Sequence, residues 1–163
     1  MGEMLLDATP AVQERTDSTA DAYDDSAFVQ VPFYDVTASA GHGSCIDQEL
    51  ITSQISFRKD WLMAKGLQLD QLVTLKTRGD SMEPTLHDGD ILLVDKRVDR
   101  IIDDSIYIVQ ADHHLIVKRL QQSLDGAVHV ISDNRQYEKQ YLNPEQAAAI
   151  KIAGRVCWYG HEI

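Results

Sequence analysis

The chain has 163 residues, 44% of them hydrophobic, and a net charge of −11; its length suits one domain with a tail rather than two domains. It contains neither an apolar run of about 18 residues nor a basic start followed by an apolar block, so we expect no membrane span and no secretion signal. The negative charge argues against direct DNA binding, because phosphates attract basic surfaces. Cys45 and Cys157 lie far apart without a metal-binding spacing, and we expect two reduced thiols in a cytoplasmic protein.

The beginning of the chain predicts a tail followed by a strand. Residues 1–27 are acidic and rich in Ser, Thr and Ala, which is typical of a flexible linker. We therefore expect the folded domain to span residues 28–163. Residues 28–36 are apolar and β-prone, and Pro32 favours an edge strand over a central one.

The remainder of the chain predicts mostly β structure. Residues 37–44 are small and predict a loop, whereas residues 59–65 predict a single short helix that ends at Gly66. Turn signals separate the other β-prone runs, and residues 112–114 would join two of them as a hairpin. We expect strands in residues 55–57, 72–77, 90–94, 105–111, 115–120, 127–131 and 149–159. The pattern is typical of a compact, mostly β domain with one short helix.

Two segments carry candidate chemistry. The first is the run GDSMEPTL at residues 79–86, followed by Asp88-Gly89-Asp90, and it contains Ser81. The second is an apolar run around Lys118, which lies 37 positions after Ser81. A serine becomes a good nucleophile when a base takes its proton, and a lysine can do this only when neutral. At the ordinary lysine pKa of about 10.4, roughly one lysine in a few thousand is neutral at pH 7, but burial lowers the pKa.

Each segment alone has an ordinary interpretation. Gly-Asp-Ser is common in turns, and alternation along a strand does not decide whether Lys118 faces inward. A Ser-His-Asp triad stays open, because triad order varies between folds. The six histidines match no zinc motif, and no phosphate-binding Gly loop occurs. We therefore expect no metal, nucleotide or other cofactor.

Taken together, the two segments resemble the peptidase domain of LexA, UmuD and the self-cleaving phage repressors, over residues 31–158. The resemblance implies a LexA/signal-peptidase-like fold and a Ser-Lys dyad. Ser81 would attack a peptide bond of its own chain, and Lys118 would act as general base. The backbone N–H groups of Ser81 and Asp80 would form the oxyanion hole.

The resemblance also implies where the chain is cut. The family cleaves itself after a small residue, commonly between Ala and Gly, in a loop upstream of the serine. Ala40-Gly41 fits this description, although the loop could be only a connection. We expect the loop to move between docked and undocked positions, and the resemblance implies that RecA filaments favour the docked one.

The closing run, residues 152–159, resembles the segment through which family members form homodimers. Arg155, Val156, Cys157 and Trp158 are the candidate dimer strand, because an apolar edge strand invites pairing. An internal core strand is the alternative interpretation.

The resemblance predicts the regulatory and dimerisation half of a phage-type or SOS-type transcriptional repressor. DNA would be bound only through a separate N-terminal helix-turn-helix domain, for which residues 1–27 are too short. The alternatives are a UmuD-like accessory subunit of an error-prone polymerase and a dimerisation module that does not cleave. A membrane partner is not expected.

Overall fold

The computed structural model describes residues 25–34, 51–111 and 114–163. In these ranges the chain forms nine strands, two short α-helices and two 3-10 turns. The strands are β1 Phe28–Tyr34, β2 Ile51–Arg58, β3 Leu72–Lys76, β4 Ile91–Asp95, β5 Ile106–Ala111, β6 His114–Gln122, β7 Val128–Ile131, β8 Gln140–Leu142 and β9 Lys151–Gly160. The helices are α1 Lys59–Ala64 and α2 Pro144–Ala148, and the 3-10 turns are Asp25–Ala27 and Leu69–Gln71. None of the helices in these ranges is long and apolar enough to cross a membrane.

All nine strands belong to one sheet in the order β2-β1-β3-β4-β9-β5-β6-β7-β8. Every pairing is antiparallel except that of β1 with β3. The last long strand, β9, lies in the middle and joins the two halves. It pairs with β4 through Arg155–Gly160 and with β5 through Lys151–Arg155. Gly154 is buried at this crossing, where a Cβ atom would lie 2.9 Å from the Asp95 carbonyl oxygen.

Side chains on both faces of the central strands are buried, because successive residues of a strand point to opposite faces. Leu93 of β4 packs in a cluster with Leu62 of α1, whereas its neighbours Leu92 and Val94 pack with Leu86 on the other face. A third cluster contains the buried Tyr107 and is formed by apolar side chains of β5, β6 and β7. The continuous apolar runs in the sequence therefore correspond to strands covered on both sides.

The predicted mostly β fold is confirmed, with three corrections. Pro32 does not mark an edge strand: β1 lies inside the sheet and β2 forms its edge. Pro32 is tolerated because β1 pairs with β3 only through Phe33 and Tyr34, after the proline. The run predicted at residues 55–57 is part of a strand of eight residues.

The third correction concerns β8 and α2, which the prediction of one short helix missed. Asn143 caps α2: its side chain accepts from the Gln146 N–H at 2.9 Å, the Gln146 side chain accepts from the Asn143 N–H at 3.0 Å, and Pro144 occupies the first turn. An Asn-Pro pair followed by Gln is a sequence signal for a helix start. This signal was available in the sequence.

Candidate active site

The segment between β3 and β4, residues 77–90, contains Ser81 and is called the serine loop below. Its base is closed by the Thr77 N–H, which donates to the Asp90 carbonyl at 2.8 Å, and by the Gly89 N–H, which donates to the Thr77 carbonyl at 3.1 Å. Near Ser81 the backbone turns at Gly79, whose φ of +81° favours glycine. The Gly79 N–H donates to the Asp88 carboxylate at 2.7 Å, so that Gly79 and Asp88 of the motif together stabilise the turn.

The apolar residues of the serine loop anchor it to the core. Met82 and Leu86 are 4% and 1% exposed and pack with Val73 and Leu92 of the sheet. Ser81, which precedes Met82, stays half-buried. The motif thus combines two buried anchors with a serine at the surface of the core.

Lys118 lies in the middle of β6, where it pairs with Tyr107 of β5. Its Nζ is 2.9 Å from Ser81 Oγ and 2.8 Å from the Oγ of Ser132. The side chain is half-buried, and this burial lowers the pKa of the Lys118 ammonium, because a charged group loses solvation there. The structure therefore brings together the two side chains that the sequence motif singled out, with the lysine shifted toward its neutral form.

Ser132 was not among the predicted site residues. It follows β7, whose last residue, Ile131, pairs with Arg119 of β6. This register places Ser132 beside Lys118, although the two are 14 positions apart. No local motif marks Ser132 in the sequence, because its position depends on how β6 and β7 align.

The residues that follow β7 form hydrogen bonds with the serine loop. We call residues 132–137 the clamp segment. The Asn134 backbone N–H donates to the Ser81 carbonyl at 3.1 Å, and the Asn134 side-chain amide donates to the Asp80 carbonyl at 3.0 Å. The Tyr137 hydroxyl donates to the Asp80 carboxylate at 2.5 Å, which raises the pKa of Tyr137. The Tyr137 ring also lies 5.7 Å from Lys118 Nζ.

The clamp segment is itself fixed to β6 by an ion pair. Arg119 donates two hydrogen bonds to Asp133, at 2.9 and 2.8 Å. The Arg119 guanidinium holds the pKa of the Asp133 carboxyl below its usual value, and a hydrogen bond from Thr85 of the serine loop adds to this effect. Such two-pronged contacts restrict geometry more than a single hydrogen bond does. Lys118 and its neighbour Arg119 thus contact the same short segment.

The predicted oxyanion-hole donors are the N–H groups of Asp80 and Ser81. Both carbonyls at these positions accept hydrogen bonds from Asn134, whereas neither N–H donates to any other residue in the described ranges. Among the described residues, these two backbone donors next to the serine hydroxyl therefore have no acceptor.

The remaining predicted site residues fall into two groups. Ala40 and Gly41, with the whole predicted loop, lie outside the described residues, as do residues 1–24, 112 and 113. The predicted dimer strand is described, and Arg155 pairs with both β4 and β5. Val156 and Trp158 pair with β4 alone, and Cys157 forms a bulge between them. From residue 156 onward, β9 therefore has one edge without a strand partner in the described ranges.

A groove of about 540 Å³ runs along that edge, lined by Val156, Trp158 and Tyr159 of β9 and by Ile106 and Arg119. Trp158 and Tyr159 are 37% and 45% exposed. Cys157 also lines the groove, and its thiol donates to the Leu93 carbonyl at 3.2 Å. Burial raises the pKa of this thiol to about 11, which makes Cys157 unreactive near neutral pH.

None of the histidines in the described ranges supports a histidine base for Ser81. His87 and His161 contact Asp90, and His129 packs against Tyr141. In the described part of the chain, the basic group within hydrogen-bond distance of Ser81 Oγ is Lys118.

The comparisons with known proteins show the family to which the chain belongs. The family model described as Peptidase S24-like matches residues 32–157. The chain is 30% identical over 149 residues to the repressor protein CI of Enterobacteria phage phi80, covering 86% of this chain and 62% of the relative. It is 29% identical over 133 residues to the 26 kDa repressor protein of Escherichia phage HK022, covering 79% and 56%. It is 30% identical over 135 residues to the HTH-type transcriptional regulator PrtR of Pseudomonas aeruginosa, covering 80% and 53%. The chain thus spans between about half and three fifths of the length of these relatives.

Proposed function

The chain belongs to the Peptidase S24-like family, and from this premise we propose that it is the self-cleaving, dimer-forming part of a transcriptional repressor. The contact of 2.9 Å between Lys118 Nζ and Ser81 Oγ carries the proposal. The relatives are phage repressors and a transcriptional regulator, which favours a repressor over a polymerase subunit. Cleavage would relieve repression, as in the response to DNA damage that the family resemblance implies. DNA would be bound by a part of the protein that precedes this chain, and the reaction would take place in the cytoplasm.

The proposed reaction is an acyl transfer within one chain. Neutral Lys118 removes the proton from Ser81 Oγ as this oxygen attacks the carbonyl carbon of Ala40. The N–H groups of Asp80 and Ser81 donate to the oxyanion of the tetrahedral intermediate. The bond between Ala40 carbon and Gly41 nitrogen then breaks, and the Lys118 ammonium returns the proton to the departing amine. Water hydrolyses the ester on Ser81 by the same route, leaving a carboxylate on Ala40.

Ser132 acts in this proposal as a positioning residue. An amine on four rotatable bonds has many orientations, and a second contact at 2.8 Å restricts Nζ to the side of Ser81. When Lys118 is neutral, the Ser81 hydroxyl donates to Nζ, and an amine hydrogen can be donated to Ser132 Oγ. Both hydrogen bonds therefore persist in the reactive protonation state.

Control of the reaction would come from docking of the cleavage loop. A loop that covers Lys118 would bury the lysine further and lower its pKa more, so that docking and activation are coupled. A RecA filament would accelerate cleavage only by binding the docked form more tightly than the undocked form. No cofactor is needed for any step.

Homodimer formation would use the open edge of β9. This edge has no partner among the described strands, and with Trp158 and Tyr159 beside it, it offers backbone hydrogen bonds and apolar surface to the same edge of a second copy. Tyr159→Arg would place two positive charges near the symmetry axis and shift sedimentation toward the monomer. Tyr141→Arg, at an exposed site on β8, is the matched control. A dimer that survives Tyr159→Arg unchanged would contradict this interface.

Mass spectrometry of the purified chain tests the cleavage itself. We expect incubation at about pH 9 to produce a new N-terminus at Gly41, and we expect Ser81→Ala to produce none. A product with another N-terminus that still requires Ser81 would support the mechanism and show that a different peptide bond is cleaved. Equal amounts of product from the parent chain and from Ser81→Ala, or no product from either, would contradict self-cleavage.

A further inference from the structure

Three possible metal ligands meet at the end of the serine loop where β4 begins. His87 and Asp90 belong to the loop, and His161 follows β9. The pairing of Ile91 with Gly160 places His161 beside Asp90. Three residues that share no sequence motif are therefore brought together by the alignment of β4 with β9.

The Asp90 carboxylate is the centre of this group. Its side chain is 1% exposed, and its Oδ2 accepts from the His87 backbone N–H at 2.8 Å. Its Oδ1 lies 2.6 Å from His161 Nδ1, and the His87 Nδ1 is 3.9 Å from Oδ2. The centroids of the two imidazole rings are 4.8 Å apart, and the ring planes are tilted by 43° to each other. One ligand atom from each residue can be chosen so that all three lie within 4.8 Å of one another.

We propose that His87, Asp90 and His161 bind a divalent transition-metal ion, for which zinc is the best fit. Imidazole nitrogen and carboxylate oxygen are both common zinc ligands, and three protein ligands leave a fourth position for water. Tetrahedral zinc at about 2.0–2.2 Å from each ligand requires ligand atoms about 3.4 Å apart. The His161 nitrogen is 2.6 Å from Oδ1 of Asp90 and the His87 nitrogen is 3.9 Å from Oδ2. Because these are different oxygens, the imidazole rings must shift for one carboxylate oxygen and both nitrogens to bind the same ion.

The histidines can make the necessary adjustment. Their side chains are 45% and 43% exposed, so that the rings can rotate by small angles without disturbing the core. The buried Asp90 side chain is held in place by the His87 backbone N–H, and the net charge of −11 favours the approach of cations. Sequence spacing gave no sign of the site, because it depends on a strand pairing.

A bound metal would join the C-terminal end of β9 to the serine loop. A ligand that binds only the folded state stabilises it in proportion to its occupancy. Zinc at about a hundredfold excess over its dissociation constant would raise the Tm by about 5–10 °C. The inference is independent of the cleavage activity, and Ser81→Ala can be used throughout to keep the chain intact.

The test combines thermal unfolding in zinc with visible absorption in cobalt(II). We expect zinc to raise the Tm of the Ser81→Ala chain, EDTA to reverse the rise, and cobalt to give the intense bands of a four-coordinate site. His161→Ala and His87→Ala should each lose most of the rise and the bands. His129→Ala removes a half-buried histidine of β7 that packs on Tyr141, and it should keep both responses.

Asp90→Asn serves as a further variant, because it keeps the shape of the side chain while weakening metal binding. Should it unfold, the two histidine variants still decide the question. A zinc response that is equal in His161→Ala, His87→Ala and the parent chain would show binding elsewhere and overturn the proposal. The absence of any zinc response in the folded parent chain would overturn it as well, leaving a hydrogen bond between His161 and Asp90.

Discussion

Two neighbouring parts of the serine loop are held in different ways. We call the part around Ser81 the polar end and the part from Met82 to Leu86 the apolar end. Around Ser81 the contacts are polar, half-exposed and made by the clamp segment, which is about 50 positions away in the chain: Asn134 and Tyr137 hold Asp80 and the Ser81 carbonyl. From Met82 to Leu86 the loop is anchored by these two buried apolar side chains, of which Leu86 is the less exposed. The apolar end fixes where the loop lies, and the polar end fixes where the reactive atoms point. The two kinds of contact should respond differently to mutation.

The largest effect is expected at the polar end, from Lys118→Met. Methionine keeps most of the volume of the lysine stem but has no base, so that self-cleavage at about pH 9 should fall at least about 1,000-fold. Folding should be retained, because the variant no longer has a half-buried ammonium. Mass spectrometry over days measures the rate, and Lys151→Met, at an exposed position on β9, is the control. A Lys118→Met chain that cleaves within tenfold of the parent would rule out the lysine as base.

The pH dependence of cleavage follows from the same lysine. Only the neutral amine accepts a proton, so that the rate should rise about tenfold per pH unit while Lys118 is mostly charged. Burial lowers the Lys118 pKa, so the plateau should be reached below the ordinary lysine value of about 10.4. Between the lowered and the ordinary pKa the unfolded chain binds more protons, and the free energy of unfolding from this group therefore rises with pH. A cleavage rate that is flat or falls from about pH 7 to 9 would contradict the proposed base.

Leu86→Ala tests the apolar end. Removing a fully buried leucine typically costs about 2–5 kcal/mol of stability, because a cavity remains. Urea unfolding should show this loss, whereas the rate of cleavage, measured well below the unfolding midpoint, should fall by less than the rate in Lys118→Met. If Leu86→Ala abolished cleavage without loss of stability, the division between the two ends would be wrong.

The sequence predicted the parts of this site that are local and missed those that depend on strand alignment. The run around Ser81 and the apolar surroundings of Lys118 can each be identified in a short window, and family resemblance linked the two. Ser132 and the clamp segment carry no such signal, since Ser-Asp-Asn is ordinary turn composition. Their positions follow from the register of β6 with β7, which one sequence does not reveal. The group around Asp90 was not predicted for the same reason, because it depends on the alignment of β4 with β9. Strand order is likewise not visible in one sequence, and β1 was therefore predicted at the edge of the sheet.

Ser132→Ala is expected to have the smallest effect, and it is the sharpest test of how the polar end works. Loss of one positioning contact to Lys118 Nζ should slow cleavage by about 10–100-fold, with little change in stability, because Ser132 is only half-buried. Two readouts separate positioning from a structural role. Ser132→Thr keeps a hydroxyl and should recover most of the rate. The pH profile of Ser132→Ala should also shift, because Nζ loses a neighbour that contacts it at 2.8 Å. If Ser132→Ala and Ser132→Thr were slowed equally, with the parental pH profile, the contact with Lys118 would be incidental to cleavage. The Asn134 and Tyr137 contacts with Asp80 and Ser81 would then be the long-range contacts that support the reactive end among the described residues.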